Sequence, residues 1–169
     1  MSRTERGFSF VELVLMVAII LIVAALAIPN LLRSRIAANE SGAIDSLRSI
    51  NTSARTYKLA YHNGYPASLR ALGTAAETDE KKSCGEAQLI DDELTRGMKS
   101  GYIFTYQEGS GDLPNAAPSG GCAGWNNYTV NADPVTPGTS GQRHFYTDQT
   151  GVIRSNASAV AGRTDGPVD

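Results

Sequence analysis

At 169 residues the chain is long enough for one domain of ordinary size, and 15 basic against 17 acidic side chains leave a formal charge of −2. That balance gives no support to nucleic-acid binding through bulk charge. A hydrophobic share of 41% resembles that of a soluble globular protein, but residues 13–28 form an unbroken run of 16 apolar side chains. The run excludes disorder over the whole chain, and it excludes a purely cytosolic protein unless it is buried.

Residues 1–7 are polar, with Arg3, Glu5 and Arg6, and lead through Phe8, Ser9, Phe10, Val11 and Glu12 into the apolar run. At about 1.5 Å per residue the run spans roughly 24 Å as a helix, and residues 8–28 span roughly 31 Å, near the ~30 Å hydrocarbon core of a bilayer. A membrane anchor of that length must tolerate Glu12. Arg3 and Arg6 on one side and Arg33 and Arg35 on the other leave its orientation open. The same stretch imitates a secretory signal peptide, in which Ala25-Leu26-Ala27 is an A-x-A cleavage site and the exported protein starts at Ile28. Glu12 speaks against that reading. A carboxylate at the bilayer centre costs roughly 2.5 to 3.5 kcal/mol, less near the interface, and a segment meant only for removal has no reason to carry the cost.

Gly7-Phe8-Ser9-Phe10-Val11-Glu12-Leu13, continuing through Val17-Ala18-Ile19-Ile20 to Ala27-Ile28-Pro29, resembles the class III signal of type IV pilins and type II secretion pseudopilins. The resemblance implies that residues 1–7 are a leader, cut by prepilin peptidase between Gly7 and Phe8. It implies a methylated Phe8 amine, and it makes Glu12 the fifth residue of the mature chain, where the family carries its glutamate. In a low dielectric an isolated carboxylate is expelled or neutralised, whereas one facing the Phe8 amine of a neighbouring copy is paired and specifies axial register. Relatives place a helix-weakening glycine midway through the segment, where this chain has Leu21. Its clear breaker is Pro29, which removes one amide hydrogen and frees the Ala25 carbonyl.

From residue 31 to 61 there is no proline, and the lone Gly42 costs a helix only about 1 kcal/mol relative to alanine. A continuing helix is expected. Ala43, Leu47, Ile50, Ala54, Tyr57 and Tyr61 form a stripe with a period near 3.5 residues that must be buried against something. Arg33, Arg35, Arg48, Arg55 and Lys58 outnumber Glu40 and Asp45; they form a solvated face or pair with acidic surface on adjacent copies. Residues 8–61 would make a rod of about 81 Å if straight. Its second half, residues 31–61, can lie on a sheet, while residues 8–30 need lipid or other copies of the chain.

Residues 62–169 read as a globular α+β head. His62-Asn63-Gly64-Tyr65-Pro66 ends the helix, and residues 67–72 make a short helical turn. Residues 77–93 carry seven acids against two lysines and read as an exposed connection. Four alternating runs, 102–107, 128–132, 144–147 and 151–155, read as strands, with Asp148-Gln149-Thr150-Gly151 as a tight turn between the last two. The expected architecture is pilin-like α+β: a long N-terminal helix packed on an antiparallel sheet of about four strands. Outside the cytoplasm Cys84 and Cys122 can oxidise and close a loop of 39 residues, worth roughly 3 to 4 kcal/mol in the chain-entropy model.

No enzymatic motif is present. His62 and His144 are the only histidines, too few for a His-based zinc site, and no P-loop, dinucleotide or serine-hydrolase signature occurs. No cofactor or metal is expected, although Asp91-Asp92-Glu93 could hold calcium instead of making a solvated turn. Asn39, Asn51, Asn127 and Asn156 begin N-x-S/T sequons. The leading expectation is a structural subunit of a surface type IV pilus. It would be stored as a single-pass protein of the bacterial inner membrane, then polymerised with itself or other pilins by a platform protein and an assembly ATPase. The alternative is a pseudopilin of a type II secretion system, forming a periplasmic filament. A DNA-uptake minor pilin and an exported soluble protein with a cleaved signal complete the set.

Overall fold

The structure, a computed structural model, describes residues 9–62, 64–73, 84–109 and 124–168. The leader, Gly7, Phe8 and Cys122 lie outside the described residues, as do residues 77–83 of the acidic connection. The chain divides into two compact units, residues 1–35 and 36–169.

Helix α1 is Phe10–Tyr61, with Glu12 in its first turn and Lys58 in its last, the arrangement that complements the helix dipole. It continues through Pro29, so no break interrupts it in the single chain. Proline costs a helix one donor, and beside it the Asn30 side-chain amide donates to the Leu26 carbonyl at 3.2 Å. The helix ends where His62 adopts a left-handed φ of 55°. Within the second unit the expected stripe is the buried one. Ala43, Leu47, Ile50, Ala54 and Tyr57 are inaccessible or nearly so, and Tyr61, at the helix end, is half-buried against the same core.

The sheet has six strands rather than four. They are β1 Met98–Lys99, β2 Tyr102–Glu108, β3 Tyr128–Pro134, β4 His144–Asp148, β5 Arg154–Asn156 and β6 Gly166–Pro167, in sequential order with every neighbouring pair antiparallel. The two additional strands hold two residues each. Alternation along β3 buries Tyr128, Val130, Ala132 and Pro134 and half-exposes the residues between them. Tyr102, Phe104, Val130 and Phe145 join the helix stripe in one core. Helix α2, Leu69–Leu72, is capped by Ser68, and helix α3, Asp92–Thr95, by Asp91.

Two turns explain the registers. Ser100 and Gly101 both have positive φ, at 51° and 73°, which is the twist a two-residue hairpin between Lys99 and Tyr102 requires. At the expected β4–β5 turn the Gly151 amide donates to the Asp148 carbonyl at 2.8 Å, and Gly151 sits at φ 80°. A Cβ there would lie 2.6 Å from the Arg55 guanidinium.

Candidate assembly surface

From residue 9 to residue 35 every side chain is exposed except Ala24, which is half-buried. Among the described residues of this unit nothing covers these apolar side chains. α1 holds a segment long and apolar enough to cross a membrane, none of it buried. Glu12 is the only charged residue between positions 9 and 32. This apolar segment, exposed on all sides and carrying one carboxylate in its first turn, is the kind of exposed apolar surface that calls for a covering.

In the second unit the charges of α1 are largely used internally. Asp45 and Arg48 form an exposed pair at 3.0 Å, the Arg55 guanidinium donates to the Thr150 carbonyl at 2.9 Å, and Lys58 lies 4.6 Å from the Tyr65 ring centre. Glu40 departs most from a solvated face. It is buried, and its carboxylate accepts from the Gln142 amide at 2.9 Å, the Arg143 amide at 3.1 Å and the Arg143 guanidinium at 2.8 Å. Burial pushes this carboxyl up, but the hydrogen bonds from Gln142 and Arg143 outweigh it and hold the group below its ordinary value. With the Asn39 amide donating to the Ser140 carbonyl at 2.8 Å, Glu40 ties the β3–β4 loop to the helix.

Asn51 is a second buried node. Its side chain donates to the Thr147 hydroxyl and accepts from the Tyr128 hydroxyl, both at 2.9 Å, so the amide is committed inside the head. The Tyr57 ring packs on Tyr61, and Tyr128 packs edge-on against Tyr65 and is stacked on Tyr106 at 5.4 Å. Burial raises the phenols of Tyr106 and Tyr128 far above their usual range. Trp125 exchanges backbone hydrogen bonds with Tyr65 and is half-buried.

No metal centre is assembled among the described residues. Asp91 caps α3 through the Leu94 amide at 2.9 Å and pairs with Lys99, so its carboxylate is occupied by the protein itself. The histidines are apart: His62 ends α1, and His144 on β4 lies 2.6 Å from Asp133. Cys84 is disulfide-bonded, and the Tyr57 hydroxyl donates to its carbonyl at 2.8 Å. Sequence reading missed the C-terminal strap, in which Asn131 donates to the Ala161 carbonyl and Arg163 reaches the buried Asp148 at 3.2 Å. Its composition of Gly, Ala, Ser and isolated charges carries no periodic signal.

No protein-family model matches the chain, and no solved structure does. The type II secretion system core protein G of Dickeya chrysanthemi is 29% identical over 73 residues, covering 43% of this chain and 47% of that protein. The match supports a pilin-like family. The chain spans about half the length of this curated relative.

Proposed function

We propose that this chain is a pilin-like filament subunit of the type II secretion kind, a pseudopilin. The observation that carries the reading is the fully exposed apolar start of α1 with Glu12 in its first turn. A polypeptide keeps such a surface only if lipid or copies of itself cover it. Similarity to a type II secretion core protein favours this reading over the surface pilus that the sequence first suggests.

On this reading prepilin peptidase cuts between Gly7 and Phe8, the Phe8 amine is methylated, and the chain waits in the inner membrane as a single-pass protein. Glu12 then pairs with the Phe8 amine of a neighbouring copy and sets register as the helices pack. Pro29 is where α1 can yield during packing, because one ladder bond is already missing there. Cys84 pairs with Cys122, the only other cysteine. Extraction from the membrane needs an external ATPase and platform protein, since the chain carries no nucleotide motif. The protein is structural, not an enzyme, and needs no cofactor.

A surface type IV pilus is the second reading, favoured by the disulfide at Cys84. Deleting the gene separates the two: lost release of secreted proteins with unchanged surface filaments supports the pseudopilin. Loss of sheared surface filaments with normal release supports the pilus, and a deletion that changes neither refutes filament function.

A further inference from the structure

The apolar segment of α1 ends on two arginines that no described residue neutralises. Arg33 and Arg35 are both exposed, and among the described residues neither takes part in an ion pair. No acid lies between Glu12 and Glu40 in the sequence. Glu40, the nearer of the two, already accepts from the Gln142 and Arg143 amides and from the Arg143 guanidinium. The next acid along the helix, Asp45, is paired with Arg48 at 3.0 Å.

Their place on the helix decides what can reach them. Every residue between Glu12 and Arg33 is uncharged, and the two lie about 31 Å apart along a helix. The hydrocarbon core of a bilayer is about 30 Å thick. When the segment spans it with Glu12 near one boundary, Arg33 and Arg35 emerge among the headgroups at the other. Leu31 and Leu32, both exposed, carry the apolar surface right up to them. Around the axis a spacing of two residues is a turn of about 200°, so the two arginines face nearly opposite sides of the rod. A protein docked on one side of a helix reaches one of them. A headgroup layer encircles the helix and reaches both. The chemistry agrees with the geometry: a guanidinium fork pairs bidentately with phosphate oxygens while its stem stays against apolar surface.

We propose that Arg33 and Arg35 bind the headgroups of anionic phospholipids, in preference to zwitterionic ones, while the chain is held in the membrane. A zwitterionic headgroup brings its own ammonium to its phosphate, whereas an anionic one leaves a net charge for the arginines. The contact rests on the reading that α1 spans the membrane before assembly. Leaving the bilayer for a filament then means giving up both headgroups.

The test uses the protein recovered from cell membranes, held in neutral detergent with equal amounts of phosphatidylglycerol and phosphatidylcholine of the same acyl chains. The lipid retained after affinity capture is counted by mass spectrometry, and the intact mass of the protein is read from the same sample. Wild type should retain phosphatidylglycerol over phosphatidylcholine by about tenfold, a preference that high salt weakens. Arg33→Gln/Arg35→Gln should lose most of the preference, and Arg33→Lys/Arg35→Lys, which keeps both charges, should retain most of it. Equal retention by wild type, or an undiminished preference in the glutamine variant, overturns the headgroup contact and leaves the arginines to acids on a neighbouring copy. A lysine variant as indifferent as the glutamine one also overturns it, because the cations would then not be the cause. A chain starting at Phe8 with no lipid preference refutes this contact alone, whereas a chain starting at Ile28 refutes the membrane-spanning reading on which it rests.

Discussion

Replacing Glu40 by alanine should loosen the β3–β4 loop from α1 and destabilise the head. The carboxylate accepts two backbone amides and one guanidinium bond, and Glu40 is only 8% exposed. Each amide left without an acceptor costs about 1 kcal/mol near a surface loop, where water replaces part of the loss. The ion pair adds about 0 to 1 kcal/mol, because the Arg143 side chain is 41% exposed and solvent screens it. The sum is about 2 to 3 kcal/mol, which for a head of this size lowers Tm by about 6 to 9 °C. Glu40→Gln keeps one acceptor oxygen and should lose roughly half as much. The carboxyl is held below its ordinary 4.5, so its stabilisation is complete above that pH and is lost as pH falls through the lowered value. Glu40→Gln should therefore flatten the acid side of the stability profile. Thermal unfolding of the full chain in detergent, followed by the tyrosine near-ultraviolet signal, measures both effects. A Glu40→Ala chain melting within about 1 °C of wild type would refute the tether.

Asn51→Leu should cost about 2 to 3 kcal/mol by leaving the Tyr128 and Thr147 hydroxyls without this partner, read as a lower Tm in the same assay. An unchanged Tm would remove the node. Cys84→Ser should cost about 3 to 4 kcal/mol if the bond closes the loop to Cys122, and denaturant midpoints of the variant and wild-type chains measure it. Glu12→Ala should leave leader cleavage intact but abolish filaments, as seen by immunoblot mass and electron microscopy; normal filaments would sink the register role.

The helix was legible because burial imposes its period: the stripe from Ala43 to Tyr57 is the buried face. Strands β2 and β3 were legible for the same reason, through alternation, whereas β4 and β5 lie near the expected runs without alternating in burial. Strands β1 and β6 were not, since two residues cannot alternate and each exists only through its partner, Met98 with Ile103 and Gly166 with Ser155. The run expected from residue 151 starts instead at Arg154, because positive φ at Gly151 keeps the chain in the turn. Glu40 and Asn51 looked like a surface charge and a sequon. Both are polar groups that the helix period places beside the stripe, and only the tertiary fold supplies the loop amides and hydroxyls that satisfy them. The exposed apolar start of α1 was the most legible part, because an apolar run with one carboxylate is a property of the sequence itself.

The central claim, that the apolar start of α1 is retained as an assembly surface, is tested most directly by the intact mass and N-terminal sequence of the protein recovered from cell membranes. A mature chain that starts at methylated Phe8 and keeps Glu12 is the expected result. A chain starting at Ile28 would mean that the segment is discarded on export, and the filament account would fall with it.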